Sequence, residues 1–304
     1  MGSIVGIDLG TTYSAIAQLD ETGRPVMIAN KEGDNITPSI VLFESKTSVI
    51  VGKEAMKVFG VDPNAFGRFK REMGKNKVYE AFGKKYNPTA LSSFLLSKIK
   101  DDAEANIGKI TEAVVTTPAN FANEAREATL SAAKSSGLKI KNIINEPTAA
   151  ALYYAFSSGD GLSGIYAIYD LGGGTFDISI IKVEGTNIEV MNSNGVPKLG
   201  GDDFDEILIK IVQKKYKKET GGDLIAEDYT KNLAEETKKT LSAREKAKVR
   251  ITRTRDTIEV TREEFEEAIS TKIAEAVMTC EICLDEIDLS PNDIEEVILV
   301  GGST

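Results

Sequence analysis

The chain has 304 residues and a formal net charge of −10 at pH 7, with 41% hydrophobic and 28% charged residues. This composition is typical of a globular protein that is long enough for two hydrophobic cores. An acidic chain with a pI near 4.9 lacks the clustered positive charge that nucleic acid or an anionic membrane surface attracts. We therefore expect two domains, no nucleic-acid partner and no membrane partner.

Histidine is absent, which excludes imidazole acid-base catalysis, Ser-His triads and the commonest ligand of transition metals. Chemistry in this chain must therefore use carboxylates, lysine and a hard cation. Cys280 and Cys283 form a C-x-x-C pair within a run of helical spacing. We predict that they face a helix core and have no redox role. The chain shows no secretion signal and no bilayer-length apolar run, which predicts a cytoplasmic protein.

Residues 4–19 predict a strand, a turn and a second strand, and the same layout returns about half a chain later at 165–183. Glycines in such turns let the backbone approach a ligand closely and point successive N–H groups at an anion. A simple glycine-rich turn has no reason to recur with its aspartate, glycine and threonine. We therefore predict two hairpins that face one triphosphate. Their turn residues are Asp8, Gly10, Thr11, Thr12 and Tyr13 in the first, and Asp170, Gly172, Gly173, Gly174 and Thr175 in the second.

The second turn has an aspartate at either end, Asp170 and Asp177. Two carboxylates beside a phosphate repel it unless a cation stands between them. The arrangement therefore predicts a bound Mg²⁺ that is held largely through water.

Between the hairpins, the pattern predicts strands at 38–43, 48–52, 113–117 and 140–144, and helices at 87–108 and about 120–136. Residues 37–86 are predicted to form an inserted subdomain, in which Lys70 by itself would be an ordinary solvated charge. Glu146 stands between a strand and the helical stretch 149–154. That position is where α/β folds place active groups.

The G-x-G-x-x-G match at 159–164 follows a helix and precedes a strand. Because a dinucleotide fingerprint needs the opposite order, we interpret this stretch as a link between two lobes. Beyond the second hairpin, Gly200, Gly201 and Asp202 form another glycine turn before a helix. This turn predicts a third contact with phosphate.

The last part of the chain predicts helices at 228–242 and 262–284, with strands near 248–252 and 257–260 between them. One face of the first helix carries Glu235, Lys238, Lys239 and Ser242, and the pattern alone predicts that this face is solvated. A strand at 297–300 then leads to a third glycine turn, Gly301-Gly302-Ser303.

Six segments in order resemble the ATPase domain of DnaK-type heat-shock chaperones, within the superfamily of actin and the sugar kinases: 6–13, 115–121, 144–150, 170–177, 199–205 and 300–304. The resemblance implies an α/β, two-lobed actin-like ATPase fold with duplicated ribonuclease-H-like lobes around a nucleotide cleft. Lobe I would span 1–160 with an insertion at 37–86, and lobe II would span 161–304 with an insertion at 199–281. The family domain continues with a further helix and strand and then a peptide-binding domain, which we expect to be absent from this chain.

The resemblance also implies a function, namely ATP binding and slow hydrolysis of ATP to ADP and phosphate, with nucleotide state regulating an attached peptide-binding domain. The implied cofactors are ATP or ADP and Mg²⁺, with K⁺ as a further candidate. J-domain co-chaperones and nucleotide-exchange factors are the implied partners, and unfolded peptide would be bound only through the peptide-binding domain. A small-molecule kinase and an actin-like polymerising protein of the same superfamily stay open, because fold alone does not separate them.

Roles for individual residues follow from the same resemblance. Lys70 resembles the catalytic lysine that reaches the terminal phosphate and the attacking water. Glu146, Asp170 and Thr175 resemble its partners around that water and the metal, with Asp8 opposite; Asp8 and Asp170 would face the metal mostly through water. Glu235, Lys238, Lys239 and Ser242 align with the helix face that embraces ribose and adenine. Gly301, Gly302 and Ser303 would lie on the other side of the base.

Two stretches depart from the family pattern. Lys239 stands where an arginine commonly stacks on adenine, and lysine lacks the planar guanidinium that stacks well. Residues 120–126 lack the usual tyrosine and glutamine, in a region associated with coupling nucleotide state to the partner domain.

Overall fold

The computed structural model describes residues 2–158, 163–185 and 187–304. The predicted link at 159–164 and the predicted lobe boundary at 160/161 fall largely on residues outside this part of the chain. The exact limits of the two lobes and of their two insertions therefore stay predictions.

The strands and helices are as follows. In the first half they are β1 (Ser3–Asp8), β2 (Tyr13–Leu19), β3 (Pro25–Met27), β4 (Ile36–Pro38), β5 (Ile40–Phe43), β6 (Val49–Val51), α1 (Lys53–Val58), β7 (Ala65–Gly67), β8 (Tyr79–Ala81), β9 (Lys84–Tyr86), α2 (Pro88–Ile107), β10 (Ile110–Thr117), α3 (Asn123–Ser135), β11 (Ile140–Asn145) and α4 (Glu146–Ser158). In the second half they are β12 (Ser163–Leu171), β13 (Phe176–Glu184), β14 (Asn187–Val196), α5 (Gly201–Thr220), α6 (Lys231–Ala243), β15 (Lys246–Arg250), β16 (Thr257–Thr261), α7 (Arg262–Asp285) and β17 (Glu296–Val300).

The first large sheet has the strand order β11-β10-β1-β2-β3, with β4 also paired to β2. Its centre is the predicted first hairpin, in which β1 and β2 are antiparallel. The strand β10 lies parallel beside β1, and β11 lies parallel beside β10. The apolar residues of β1 alternate, so that Val5 and Ile7 are buried. This alternation is what a strand with one core face requires.

The second large sheet repeats that plan with the order β14-β13-β12-β17. Its centre is the second predicted hairpin, an antiparallel pair in which Asp170 stands opposite Asp177. The strand β17 lies parallel beside β12, and its Val300 is paired with Asp170. Both sheets therefore place a parallel strand next to the first strand of a hairpin. The internal repeat that was predicted from the two turns extends to the topology of both sheets.

Helix α2 begins and ends where its capping residues predict. In α2, the Asn87 side chain accepts a hydrogen bond from the Ala90 amide, and Gly108 closes the helix with a φ of 76°. A side chain that accepts from an otherwise unpaired first-turn amide stabilises a helix end, and glycine tolerates positive φ. The buried face of α2 packs into the core of the first sheet through Leu91, Leu95, Leu96 and Ile99.

Some element limits differ from prediction for local reasons. The helix predicted from about residue 120 begins at Asn123, because the Arg126 guanidinium binds the carbonyls of Pro118, Ala119 and Phe121 and holds them in a tight turn. The strand β14 had no counterpart in the predicted elements. Its polar stretch at 192–195 contains residue types that are depleted in strands, and only pairing with the hydrophobic β13 makes it a strand.

The cysteines of α7 lie against the core, as predicted. Cys283 is buried, Cys280 is half-buried, and both are free thiols. Burial raises the pKa of each thiol to about 11. A thiol in such surroundings is a weak nucleophile.

Within the described residues, no helix combines the length and the apolarity needed to cross a membrane.

The fully buried Leu95 and the exposed Leu152 provide a test of the first core. We expect Leu95→Ala to lower the free energy of unfolding by about 2–5 kcal/mol, because it leaves a cavity. The matched change Leu152→Ala, also on a helix, should cost less than about 0.5 kcal/mol. Urea denaturation followed by circular dichroism measures both. Equal losses would mean that the α2 face is not packed as described.

The raised thiol pKa values predict slow alkylation. At pH 8 a thiol of pKa near 11 is only about 0.1% thiolate, so iodoacetamide should modify the native cysteines at least about a hundredfold more slowly than in urea. Mass spectrometry over time gives both rates. Fast native modification of Cys283 would contradict its burial.

Candidate functional site

The two hairpin turns lie against each other between the sheets. A Cβ atom on Gly174 would come within 2.6 Å of Thr11 Cγ2 and 2.7 Å of the Arg71 side chain, and one on Gly200 would lie 2.7 Å from the backbone of Gly173 and Gly174. Real side chains do not tolerate such contacts, so only glycine fits at these positions. The structure thus brings together Gly172, Gly173, Gly174, Thr11 and Thr12, which the sequence placed in one site.

One hydroxyl in this contact points to a ligand. Thr12 Oγ1 is buried and has no hydrogen-bond partner among the described residues. A buried polar group without a partner is costly in a native protein. A phosphate oxygen is the type of acceptor that would satisfy this hydroxyl.

Lys70 lies in a 3₁₀ turn at Phe69–Glu72 and is only 7% exposed. The prediction from pattern alone, an ordinary solvated charge, is therefore wrong. Its Nζ donates a hydrogen bond to Glu146 Oε1 at 2.6 Å. Removal from water lowers the pKa of Lys70, but the carboxylates of Glu146 and Asp8 outweigh that effect, so its pKa is raised and the side chain stays charged.

Four carboxylates surround this one ammonium group: Asp8, Glu146, Asp170 and Asp177. Removal from water raises the pKa of Glu146 to about 7 against the attraction of Lys70. The same cause, together with the charge of Asp177, raises the pKa of Asp170 to about 6. Asp8 is exposed and accepts a hydrogen bond from Thr116 Oγ1 at 2.7 Å. The cleft therefore carries an excess of negative charge that favours an added cation.

Among the described residues, no group of three or more Asp, Glu or Cys side chains is arranged to hold a bare metal ion. Asp8 and Asp170 nevertheless face the same cleft, each at the end of the first strand of a hairpin. Carboxylates that are too few to coordinate an ion fully still suit Mg²⁺, which keeps several waters and binds phosphate oxygens. The chemistry of the residues present therefore fits a hydrated Mg²⁺ that is completed by a phosphate ligand.

The third predicted turn lies beside the second hairpin at the start of α5. The Gly201 amide donates to the Gly172 carbonyl at 3.1 Å, and the Asp202 amide donates to the Gly173 carbonyl at 2.7 Å. These two amides are therefore engaged by the hairpin in this structure. The adjacent Gly200 packs on the same backbone.

The predicted base-side helix face is only partly solvated. The Lys238 ammonium lies 2.7 Å from Asp205 Oδ1 and donates to the Gly201 carbonyl at 2.9 Å. The more exposed Lys239 pairs with Glu235 at 3.0 Å. Removal from water and the charge of Glu235 raise the pKa of Tyr13. Ser242, one turn further along α6, donates its hydroxyl to the Lys238 carbonyl.

The last glycine turn also reaches the site. The Ser303 amide donates to the Leu171 carbonyl at 3.0 Å, which attaches this turn to the second hairpin. Gly301 has a φ of 96°, and a Cβ there would lie 2.6 Å from Asp170 Oδ1. The neighbouring Gly302 faces open space. The structure thus brings Gly301 and Ser303 to the second hairpin.

Side chains that were not predicted cross the cleft. Arg68 binds the Asp202 carboxylate and lies 3.8 Å from Glu206. Arg71 donates to the Gly174 carbonyl and lies 3.7 Å from Asp203. The two arginines flank Lys70 in the sequence, and that clustering of positive charge was the one available signal. The partners of the two arginines lie more than a hundred positions away in the sequence, so the local pattern did not predict these contacts.

An open groove lies next to these contacts. Its walls come from both halves of the chain: Thr11, Thr12, Met56 and Phe59 on one side, and Asp202, Asp205, Asn232 and Glu235 on the other. The first hairpin and the α6 face therefore border one shared space.

A family model described as HSP70, Hsp70 protein, matches residues 4–304. The chain belongs to the Hsp70 family. Members of this family share the actin-like two-lobed ATPase fold, so the predicted relationship and the predicted fold class are confirmed. At the level of the family, this Hsp70 chain is a chaperone ATPase domain, and the family binds ATP and ADP.

The Lys70–Glu146 pair should be far more important for stability than a surface pair. Lys70→Met leaves a partly buried carboxylate without its partner, which we expect to cost about 3–5 kcal/mol, and Glu146→Gln in the same chain should recover part of that loss. Lys139, whose side chain is 75% exposed in its pair with Glu112, is the control: Lys139→Met should cost less than about 1 kcal/mol. A double-mutant cycle from denaturant unfolding measures the coupling. Similar costs at Lys70 and Lys139 would contradict the burial of the pair.

Proposed function

We propose that this Hsp70 chain binds Mg-ATP between its two hairpin turns and hydrolyses it slowly, as the nucleotide-binding domain of a DnaK-type chaperone. The observation that carries the proposal is the convergence of both glycine turns on one lysine with carboxylates around it. Phosphoryl transfer asks a protein mainly for alignment and charge neutralisation, and this set of groups provides both.

Access of the phosphates depends on movement of the lobes. Thr12 packs on Gly173, and Arg71 reaches the Gly174 carbonyl, so the two turns touch in this structure. A phosphate chain can enter between them only when the lobes open, and the lobes would close again over the bound nucleotide. Hinge movement around a ligand is a common way to achieve this.

Each side chain then has a distinct role in the proposal. Lys70 supplies positive charge at the terminal phosphate and the attacking water. Glu146 holds the Lys70 ammonium, and Asp170 and Asp8 face the hydrated metal. Thr175, at the end of the second turn, donates a hydrogen bond to Asp177. Bound Mg²⁺ would neutralise phosphate charge; no covalent intermediate with the protein is needed.

The nucleoside would lie along α6. Glu235, Lys238 and Ser242 would border the ribose, with Lys239 near the base and Ser303 opposite. Lysine at 239 cannot stack as arginine does, so we expect a base contact weaker than one made by a guanidinium. Lys238 is already oriented by Asp205 and Gly201, which reduces the ordering needed on binding.

The family context extends the proposal to regulation. ATP and ADP would favour different lobe arrangements, and J-domain co-chaperones and nucleotide-exchange factors would act on that difference. Unfolded peptide would be bound by a peptide-binding domain attached to this one, and K⁺ would be a further cation at the phosphates. Stimulation of hydrolysis by a sugar would instead favour a kinase, and assembly on Mg-ATP would favour an actin-like polymer.

Lys70→Ala separates binding from chemistry. We expect calorimetric titration to show Mg-ADP affinity within about threefold of wild type, and single-turnover hydrolysis to fall by roughly two to three orders of magnitude, because the charge acts on the transition state. Lys75→Ala, an exposed lysine of the same segment, is the control and should hydrolyse ATP normally. Undiminished hydrolysis by Lys70→Ala would remove Lys70 from the mechanism, and no binding of Mg-ADP by the wild type would end the proposal.

Arg68→Ala should loosen the closed cleft. The substitution removes a largely buried ion pair with Asp202, so fluorescent ADP should dissociate about five- to thirtyfold faster, as expected for loss of roughly 1–2 kcal/mol of interlobe contact. Arg24→Ala, at an exposed turn outside the cleft, is the control. Unchanged dissociation in stopped-flow measurements would show that the Arg68 pair does not hold the lobes together.

A further inference from the structure

Asn120 makes a contact that neither the motifs nor the proposed roles include. It follows β10 after Pro118 and precedes α3, so it belongs to the half of the chain that contains the first sheet. Its Nδ2 donates a hydrogen bond to Asp177 Oδ1 at 2.8 Å, and Asp177 lies on β13 of the second sheet. The bond therefore joins the two halves of the molecule at the carboxylate cluster.

The backbone that carries Asn120 is held firmly. The Arg126 side chain donates to the Ala119 and Phe121 carbonyls on either side of Asn120, at 3.0 and 3.1 Å, and to Asn145 Oδ1 at 2.8 Å. The backbone at Asn120 is thus tied to Asn145 at the end of β11, next to Glu146. A side chain on backbone that is already held has less freedom to lose when it binds a carboxylate.

The facing strand provides the space for this bond. A Cβ atom on Gly195 of β14 would lie 2.6 Å from Asp177 Oδ1 and 3.1 Å from Asn120 Nδ2. Any larger residue there would displace one of the two partners. Three separate elements, the loop after β10, the strand β13 and the strand β14, therefore meet at one hydrogen bond.

We propose that Asn120 is a positioning residue that fixes the Asp177 carboxylate beside Lys70 and Asp170 when the lobes are closed. The inference rests on the proposed ATP hydrolysis. Asp177 interacts electrostatically with both Lys70 and Asp170, so the direction of its oxygens affects the field around the reacting groups. Because Asn120 and Asp177 belong to different lobes, opening the cleft breaks the bond and leaves the carboxylate held by Thr175 alone among the described residues. Closure and alignment of the cluster are thereby linked through one side chain.

Asn120 is itself exposed, so substitutions there should not disturb folding. We expect Asn120→Ala to lower the single-turnover rate about five- to twentyfold, with Mg-ADP affinity changed less than twofold, since the bond acts on alignment and not on nucleotide binding.

Asn120→Asp should lower the rate further, because it places a second carboxylate against Asp177. Asn120→Gln keeps the amide donor and should restore the rate to within about threefold of wild type. Asn123→Ala, an exposed asparagine three positions away, is the matched control.

Three kinetic results would overturn the inference: a wild-type rate for Asn120→Ala, a rate for Asn120→Gln no better than that of the alanine variant, or a parallel fall in affinity and rate.

A measurement that does not need activity completes the test. In a double-mutant cycle of Asn120→Ala and Asp177→Ala, the change in the unfolding equilibrium constant of the double variant should differ by at least about threefold from the product of the two single-variant changes. Additive effects would show that the bond does not hold Asp177, whether or not the protein hydrolyses ATP. If the protein does not hydrolyse ATP but the two substitutions are coupled, the contact is real and the proposed function is wrong.

Discussion

The rest of the site depends on one electrostatic constraint, the enclosure of a single lysine among four carboxylates. Lys70 is held by Glu146 in the first half of the chain, while Asp170 and Asp177 approach from the second half. Like charges that are partly removed from water repel strongly, and one ammonium cannot neutralise all of them. The two halves therefore need Lys70 and further positive charge to stay together. Arg68 and Arg71 meet part of that need a short distance away, through their contacts with the start of α5.

Predictions from sequence succeeded where the physical cause was local. The strand alternation of β1, the capping of α2 by Asn87 and the glycine turns each depend on neighbouring residues, and each was predicted within a few residues of its observed place. The repeat of the two hairpins was predicted because both carry the same aspartate and glycine. The parallel strand beside each hairpin was not predicted and is seen only in the structure.

The features that escaped prediction depend on residues that are distant in the sequence. Burial of Lys70 results from its contact with Glu146, which the residues around Lys70 did not predict and only the family resemblance indicated. The polar strand β14 exists because β13 offers it a ladder of hydrogen bonds. The start of α3 is set by Arg126, whose side chain binds the loop that precedes the helix. In each case a long-range contact outweighs local propensity.

The close packing of Thr12 on Gly173 has a consequence for how such a sequence can vary. The core around α2 and the core around α5 and α7 share no residue, so substitutions within one core leave the other unaffected. The turns have no such independence, because any side chain added at Gly173 or Gly200 enters space that the opposite turn or its neighbour already fills. Over evolutionary time the two cores are free to change separately, whereas Gly200 faces backbone and must stay glycine, and Gly173 can change only together with Thr12. A laboratory library that randomises both turns together should therefore yield functional combinations that single substitutions never reach.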